Sequence, residues 1–253
     1  MEVLRTAMGT SIVVTSGKGG TGKSSFTAGV AGCLAQMGHE VLCLDMDIGL
    51  RNLDMALGLT EGALMDFTDV LAGRCTLRRG AVRHPVLEHL SLLSAPVTLP
   101  GTPVSEADMQ RLMEEIRAGY DYCLIDCPAG IGSGFDLAVC AADRAVVVAN
   151  TDPLTIRAAQ SAVSRLDRRH IPAHLAMNRI TRKFLRRLNT NVDDAMDALG
   201  LPLIGIIPED PRVTFAASSG TPLVLRERRG AAKAYHNIAR RIQGERVQPM
   251  RIW

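Results

Sequence analysis

Aromatic residues and lysine are both scarce in this chain. Only 4% of its 253 residues are aromatic, whereas 47% are apolar, so the core must consist mainly of aliphatic side chains. The apolar content, with 22% charged residues, is typical of a globular protein and argues against disorder. Lysine occurs only at positions 18, 23, 183 and 233. Background composition does not explain why two of these lysines share one nine-residue segment.

Signals of several other protein classes are missing. The cysteines form no CxxC pair, and we expect them to be buried thiols in a reducing compartment. The amino terminus has no apolar signal segment, and no apolar run approaches the length of a membrane span. The net charge of +3 is too small to indicate nucleic-acid binding. Together these absences predict a cytoplasmic protein.

Short aliphatic segments alternate with longer segments of helical periodicity. The aliphatic segments are apolar throughout, as expected for strands covered on both faces, and they span residues 12–15, 41–44, 90–93, 122–125, 145–149, 173–177 and 203–207. Helices are expected near residues 24–37, 105–118, 134–142, 154–169, 191–199 and 230–243. This alternation, with no linker or repeat, predicts one α/β domain with a mostly parallel, twisted sheet and helices on both faces.

The segment 17–25 matches the phosphate-binding pattern G-x-x-x-x-G-K-[ST]. A predicted strand precedes it and a predicted helix follows it, which is the context that this motif requires. Its glycines let the backbone curl until N–H groups converge on phosphate oxygens, and the helix amino terminus adds partial positive charge. The segment therefore predicts a P-loop NTPase fold. An ordinary glycine-rich turn is the alternative.

ATP and Mg²⁺ are the ligands predicted for this loop. Lys23 is expected to reach the β- and γ-phosphates, and the Ser24 hydroxyl is expected to ligate Mg²⁺. For Lys18, which the cradle itself does not need, a solvated loop lysine is the alternative. The predicted nucleotide-binding residues of the loop are Gly17, Lys18, Gly19, Gly20, Thr21, Gly22, Lys23, Ser24 and Ser25.

Three aspartates follow predicted strands. Asp45 and Asp47 come after the strand at 41–44, and Asp126 ends the strand at 122–125. Ligands of an open α/β sheet bind at the carboxyl ends of its strands, where the P-loop also lies. We therefore expect Asp126 to help hold Mg²⁺ through water and Asp47 to orient a water for attack on the γ-phosphate. Turn formation or helix capping is the alternative for each aspartate.

These motifs resemble those of the MinD/ParA family of P-loop ATPases. The early lysine in residues 18–25 resembles that family's deviant Walker A signature. Residues 45–54 are similar to switch I of its MinD branch, and residues 126–131 resemble Walker B and switch II. Residues 205–210 and 233–235 match further stretches. The switch I match is the most specific of these resemblances.

The resemblance implies an ATP-dependent sandwich dimer. In such a dimer Lys18 reaches across the interface to the nucleotide of the partner and supplies charge to the transition state. Lys18, Lys23 and Asp47 are then the expected catalytic residues. Asp45 is expected to join Ser24, Asp47 and Asp126 in supporting the metal. Asn178 is expected to recognise adenine, and Pro208, Glu209 and Asp210 are expected to flank the base.

The resemblance also implies spatial control of the division septum, with a MinC-like regulator recruited and a MinE-like regulator stimulating hydrolysis. A ParA-like or flagellum-number-regulating ATPase that positions another cargo is the alternative. A more remote alternative is an iron–sulfur redox ATPase, which would need a cysteine pair at the dimer axis. Cys127 lies beside Asp126, but no second cysteine occurs between residues 90 and 122.

The chain departs from the family pattern at two places. Residues 246–253 form a short tail, containing Pro249, in place of the family's membrane-targeting amphipathic helix, so we expect weak peripheral membrane binding or a frayed terminus. Ala158 follows Arg157 where an acidic residue is common, so docking of regulators is expected to differ.

One feature could compensate for these departures, a basic stripe that would form one face of a helix if this stretch is helical, at Arg179, Arg182, Lys183, Arg186 and Arg187. A solvated charged face is its expected meaning, and contact with DNA phosphates or anionic lipid is the alternative. The expected organisation of the chain is an amino-terminal extension at 1–10, an ATPase domain at 11–245 and the tail at 246–253.

Overall fold

An eight-stranded sheet runs through the molecule in the order β3-β4-β2-β5-β1-β6-β7-β8. The structure, a computed structural model, describes residues 8–60, 62, 64–98, 101, 103–181 and 192–250. The strands are β1 Thr10–Thr15, β2 Val41–Asp45, β3 Val82–Arg83, β4 Leu90–Leu93, β5 Tyr122–Asp126, β6 Arg144–Ala149, β7 Ala173–Ile180 and β8 Leu203–Pro208. Neighbouring strands are parallel except for the antiparallel pair β3–β4.

Helices connect the strands and cover both faces of the sheet. The helices in the described residues are α1 Lys23–Gln36, α2 Asn52–Leu57, α3 Phe67–Leu71, α4 Leu77–Gly80, α5 Glu106–Gly119, α6 Ser133–Val139, α7 Pro153–Arg168, α8 Val192–Leu199, α9 Pro211–Ser218, α10 Leu223–Arg226 and α11 Ala231–Ile242. This architecture confirms the predicted α/β class, with a mostly parallel sheet and helices on both faces.

The strand order reverses direction at β1. The chain leaves β1 through α1 and enters β2 on one side, while β6 and β7 lie on the other side. β5 later fills the place between β1 and β2. Loops that leave the carboxyl ends of strands at such a switch point diverge and open a crevice. The P-loop, which follows β1, therefore lies in the crevice that this sheet order creates.

The core has two layers because successive strand residues face opposite sides of the sheet. Ile12 and Val14 pack with α1 and α11, whereas Val13 packs with the helices on the other face. Between α1 and α11 the rings of Phe26 and Tyr235 meet edge to face, with centroids 6.3 Å apart. Gly29 of α1 lies against the ring of Tyr235, where a Cβ would overlap it. The P-loop helix is thus fixed closely to the last helix.

All seven predicted strands and all six predicted helices are present, with shifts of a few residues at their ends. The elements that the prediction missed are the two-residue β3 and the short helices α2, α3, α4, α9 and α10. Except for α9, which is as long as the predicted α8, their segments are too short to show a period, so tertiary contacts decide their conformation.

The predicted basic helical face is wrong at its start. Arg179 lies in β7, not in a helix, and its φ of 57° places it in the left-handed region at an irregularity of the β7–β8 register. A strand at this point breaks the helical spacing on which the stripe depended. The other members of the stripe, at 182, 183, 186 and 187, lie outside the described residues.

The segment that follows α11 is not helical. The chain turns at Gly244, whose φ is 91°, and residues 245–250 have no regular structure. Met250 packs against the core layer that contains α1 and α11. Among the described helices, none has the length and the apolar character that a bilayer span requires.

Candidate functional site

The P-loop joins the end of β1 to the first turn of α1, and three of its glycines are required for different reasons. Gly20 and Gly22 have φ of 79° and 91°, in the region that side chains disfavour. A Cβ on Gly20 would meet nothing within 4 Å, whereas a Cβ on Gly22 would overlap the amide nitrogen of Asn178. A Cβ on Gly17 would overlap the backbone of Ala158 in α7. Neighbouring elements therefore enclose the loop closely.

Asn178 braces the P-loop from β7. Its side chain is only 4% exposed. Its Nδ2 donates a hydrogen bond to the carbonyl oxygen of Thr21 at 2.8 Å, and its Oδ1 accepts one from the backbone N–H of Arg179 at 2.9 Å. Both polar atoms of the amide therefore bond to backbone groups of the protein, and one Nδ2 hydrogen remains for a ligand. The adenine contact expected of Asn178 stays a prediction.

Arg179 contacts the same loop, which the sequence did not reveal. Its Nη1 donates to the carbonyl oxygen of Gly20 at 3.2 Å, and its Nε lies 3.9 Å from Oε2 of Glu209. The left-handed backbone of Arg179 brings the side chain to this position. Arg179 thus links the P-loop to the end of β8. No sequence signal identifies this contact, because it depends on the irregularity in β7.

The three residues expected to flank the base lie where β8 ends. Pro208 is the last residue of β8, and the half-exposed Glu209 follows it. The carboxylate of Asp210 caps α9 through the N–H of Arg212, accepts from the N–H of Ala231 and pairs with the Arg212 guanidinium at 2.8 Å. These bonds give Asp210 a structural role. Its expected contact with the base stays a prediction.

The structure brings Ser24 and Asp126 together. Asp126, at the end of β5, is 1% exposed. Burial raises the pKa of its carboxyl to about 6, while a hydrogen bond from the Ser24 side chain and the charge of Lys23 act in the opposite direction. Thr27, one helical turn after Ser24, also donates to Asp126, at 3.4 Å. The side chains of Ser24 and Asp126 thus lie close together, and their roles at a metal stay predictions.

Asp45 and Asp47 approach this pair from β2. Burial, followed by repulsion from Asp126, raises the pKa of Asp45 to about 7. Oδ1 of Asp45 accepts from the N–H of Asp47 at 2.8 Å, whereas Oδ2 is buried without a hydrogen-bond partner in the described part of the chain. Burial also raises the pKa of Asp47, and the charge of Lys23 opposes this. Asp45, Asp47, Asp126 and Lys23 therefore form one electrostatic cluster.

This cluster fits a hydrated cation rather than a protein cage. Among the described residues, no three acidic, histidine or cysteine side chains are close enough to hold a metal by themselves. Mg²⁺ usually keeps several waters and takes one or two protein ligands together with substrate phosphates. The Ser24–Asp126 pair and the unpaired Oδ2 of Asp45 match that requirement. The residues present therefore fit Mg²⁺.

The two loop lysines have different surroundings. Lys23, in the first turn of α1, is 8% exposed and lies close enough to Asp47 and Asp126 to influence the pKa of both. Lys18 is exposed, and a hydrogen bond from the Ser16 hydroxyl to its carbonyl oxygen, at 2.7 Å, fixes its backbone. Lys23 can serve a nucleotide in its own chain. The exposure of Lys18 leaves it accessible to another molecule.

Comparison with known proteins gives consistent results. A family model described as an AAA domain matches residues 9–174. The chain is similar to the septum site-determining protein MinD of Synechocystis, with 39% identity over 93% of this chain and 90% of that protein.

Two solved structures are also similar. MinD in the MinC:MinD cell division complex of Aquifex aeolicus matches with 38% identity and a TM-score of 0.89, over 96% of this chain and 99% of that chain. MinD of Pyrococcus horikoshii, solved with Mg-ADP, matches with 27% identity and a TM-score of 0.83, over 93% of this chain and 96% of that chain.

Proposed function

This chain belongs to the MinD family of septum site-determining P-loop ATPases, and we propose that it hydrolyses ATP, with Mg²⁺, to switch between a dimer and a monomer. Membership confirms the predicted family, the ATPase class and the MinD-type function in septum placement. The switch I resemblance to the MinD branch favours this function over a ParA-like or flagellum-number-regulating one.

One observation carries the proposal for ATP and Mg²⁺. The hydroxyl of Ser24 and the ammonium group of Lys23 lie close enough to the buried carboxylate of Asp126 to oppose the rise of its pKa, at the carboxyl end of the central strands. A P-loop ATPase needs a hydroxyl, a carboxylate and an ammonium group at the place where the β- and γ-phosphates lie. Ordinary turn-forming or capping residues do not need to meet in this way.

Each residue of the site has a separate role in hydrolysis. The backbone of the P-loop binds the phosphates, with Lys23 balancing the charge of the β- and γ-groups. Ser24 would hold Mg²⁺ directly, with Asp126 and Asp45 supporting it through water. When bound, Mg²⁺ neutralises charge on the phosphate oxygens. Asp47 accepts a hydrogen bond from the attacking water and aligns it with the γ-phosphate.

The dimer brings Lys18 into the site of the partner. Lys18 is exposed on the loop, so it is free to reach a nucleotide held by a second copy. Large apolar side chains are also exposed near the same end of the sheet, at Leu50, Met55 and Leu154. Exposed apolar groups mark interaction surfaces where they are contiguous. A face-to-face pairing of two copies at this end would cover them and complete each active site.

The trans-acting role of Lys18 is tested by Lys18→Ala. We expect the variant to bind ATP with nearly normal affinity but to lose hydrolysis and ATP-dependent dimerisation. ATP binding is measured by calorimetry, turnover by phosphate release, and oligomeric state by light scattering with ATP and with ADP. Lys233→Ala removes an exposed lysine from α11 and is the matched control. Normal turnover in Lys18→Ala would refute the mechanism.

The partners follow from the family. We infer that the ATP-bound dimer works in the cytoplasm at the inner face of the cell membrane, recruits a MinC-like protein and is stimulated by a MinE-like protein. The structure of a MinC:MinD complex from Aquifex aeolicus supports the first partner. Residues 246–253 would supply weak membrane affinity. Vesicle co-sedimentation with ATP and with ADP, using the chain with and without these residues, measures that contribution, and equal binding of both chains would contradict it.

A further inference from the structure

A basic cavity lies at the end of the sheet opposite the P-loop. It has a volume of about 660 Å³ and opens where β6, β7 and β8 begin, with the segment 244–249 as one wall. We call it the basal cavity, and its defining residues are Arg144, His174, Arg241 and Arg246, with Ile12 and Ile204 as apolar wall. Ligand pockets commonly have this size and this combination of apolar surface with a few polar groups.

The described lining of the basal cavity carries more basic than acidic side chains. Among its described lining residues the only acidic one is Glu245, which pairs with Arg240 at 2.6 Å. Asp143, beside Arg144 in sequence, is bound instead to Arg117 at 2.7 Å. Arg144 makes no hydrogen bond or ion pair with a described residue. In the described part of the chain, the arginines of the cavity therefore have no acidic lining residue left to pair with.

Burial disfavours the charged forms of Arg241 and His174. Burial lowers the pKa of Arg241, whose Nη1 donates to the carbonyl oxygen of Ile204 at 2.9 Å. The pKa of His174 is lowered by burial and then by repulsion from Arg241 and Arg144. The shift of His174 shows that this ring lies in the field of both arginines. An anion that entered the cavity would relieve this repulsion and would gain charge-assisted hydrogen bonds.

We propose that the basal cavity binds an anion of the phosphate class, with Arg144 and Arg241 as its principal ligands. Guanidinium groups match phosphate oxygens in a two-bond geometry, which makes arginine the favoured side chain for this ligand. The cavity is larger than a phosphate ion, and the apolar wall suits the body of a phosphate ester. The source of the phosphate is either a soluble organic phosphate or the headgroup of an anionic phospholipid.

The test must keep the P-loop filled, because that site also binds phosphate. Protein saturated with Mg-ADP is titrated by calorimetry with inorganic phosphate and with pyrophosphate. In a second arm it is sedimented with vesicles of phosphatidylcholine, with and without phosphatidylglycerol. The variants are Arg144→Glu and Arg144→Lys. Arg168→Glu is the control, because Arg168 is exposed on α7 and its one hydrogen bond to a described residue goes to the Ser164 carbonyl of its own helix.

We expect saturable binding of one anion, weakened at least about tenfold by Arg144→Glu, partly recovered in Arg144→Lys and unchanged by Arg168→Glu. Arg144-dependent binding in the calorimetric arm identifies a soluble phosphate, and Arg144-dependent binding only to phosphatidylglycerol identifies the headgroup. Urea unfolding checks the fold of each variant, and Arg246→Glu replaces Arg144→Glu if that variant does not fold. Binding that does not saturate, or that Arg144→Glu and Arg168→Glu reduce equally in both arms, overturns the proposal.

Discussion

Gly22→Ala tests how tightly the P-loop is braced. An L-residue in the left-handed conformation of Gly22 costs about 1–2 kcal/mol. The new Cβ would also displace the amide of Asn178 and break its 2.8 Å bond to the Thr21 carbonyl. Loss of such a buried hydrogen bond costs about 1–3 kcal/mol more. We therefore expect Gly22→Ala to lower the free energy of unfolding by about 2–5 kcal/mol.

Gly20→Ala is the matched control in the same loop. Its φ is also positive, but its Cβ would meet nothing within 4 Å, so only the conformational cost of about 1–2 kcal/mol applies. Urea unfolding of the nucleotide-free protein measures both variants. In an Asn178→Ala background, Gly22→Ala should cost no more than Gly20→Ala. Equal losses for the two glycines in the wild-type background would refute the bracing role of Asn178.

Two further predictions concern the core and the acidic cluster. Gly29→Ala should destabilise the protein by about 1–3 kcal/mol, because the new Cβ would overlap the Tyr235 ring. Gly119→Ala, in a helix with open space around it, should instead stabilise the protein by about 0.5–1 kcal/mol. Thermal unfolding compares the two variants, and equal effects would exclude the overlap. The raised pKa of Asp126, about 6 against an ordinary 3.8, means that the native state binds the proton more tightly than the unfolded state. Stability should therefore fall as pH rises from about 4 to 7, and Asp126→Asn should abolish hydrolysis while stabilising the nucleotide-free protein at pH 8 by up to about 3 kcal/mol. A pH profile of stability unchanged by Asp126→Asn would contradict this.

Much of the fold and the centre of the site could be predicted from the sequence. The continuous apolar segments identified the buried strands because parallel sheets cover both faces of each strand. The motif placed Lys23 and Ser24, and the rule that ligands gather at the carboxyl ends of strands placed Asp126 beside them. These predictions depended on local patterns and on one general property of parallel sheets.

The braces around the site could not be predicted in this way. The bond from Asn178 to Thr21 depends on which part of β7 lies beside the P-loop, and the contact of Arg179 with Gly20 depends on a left-handed residue in a strand. The basal cavity likewise requires knowledge that the starts of three strands meet the segment after α11. The spacing of residues along the sequence does not show which segments of different strands, loops and helices lie side by side.

The contact between Gly17 and Ala158 leaves the P-loop no free space on the side of α7. A packed interior resists compression, so a shift of the loop on that side must be passed to the helix as displacement. Arg157, next to Ala158 in sequence, is exposed. A regulator bound to the outer surface of α7 would therefore be displaced when the phosphate-binding backbone moves. This coupling would act through one turn of helix and would need no contact with the nucleotide.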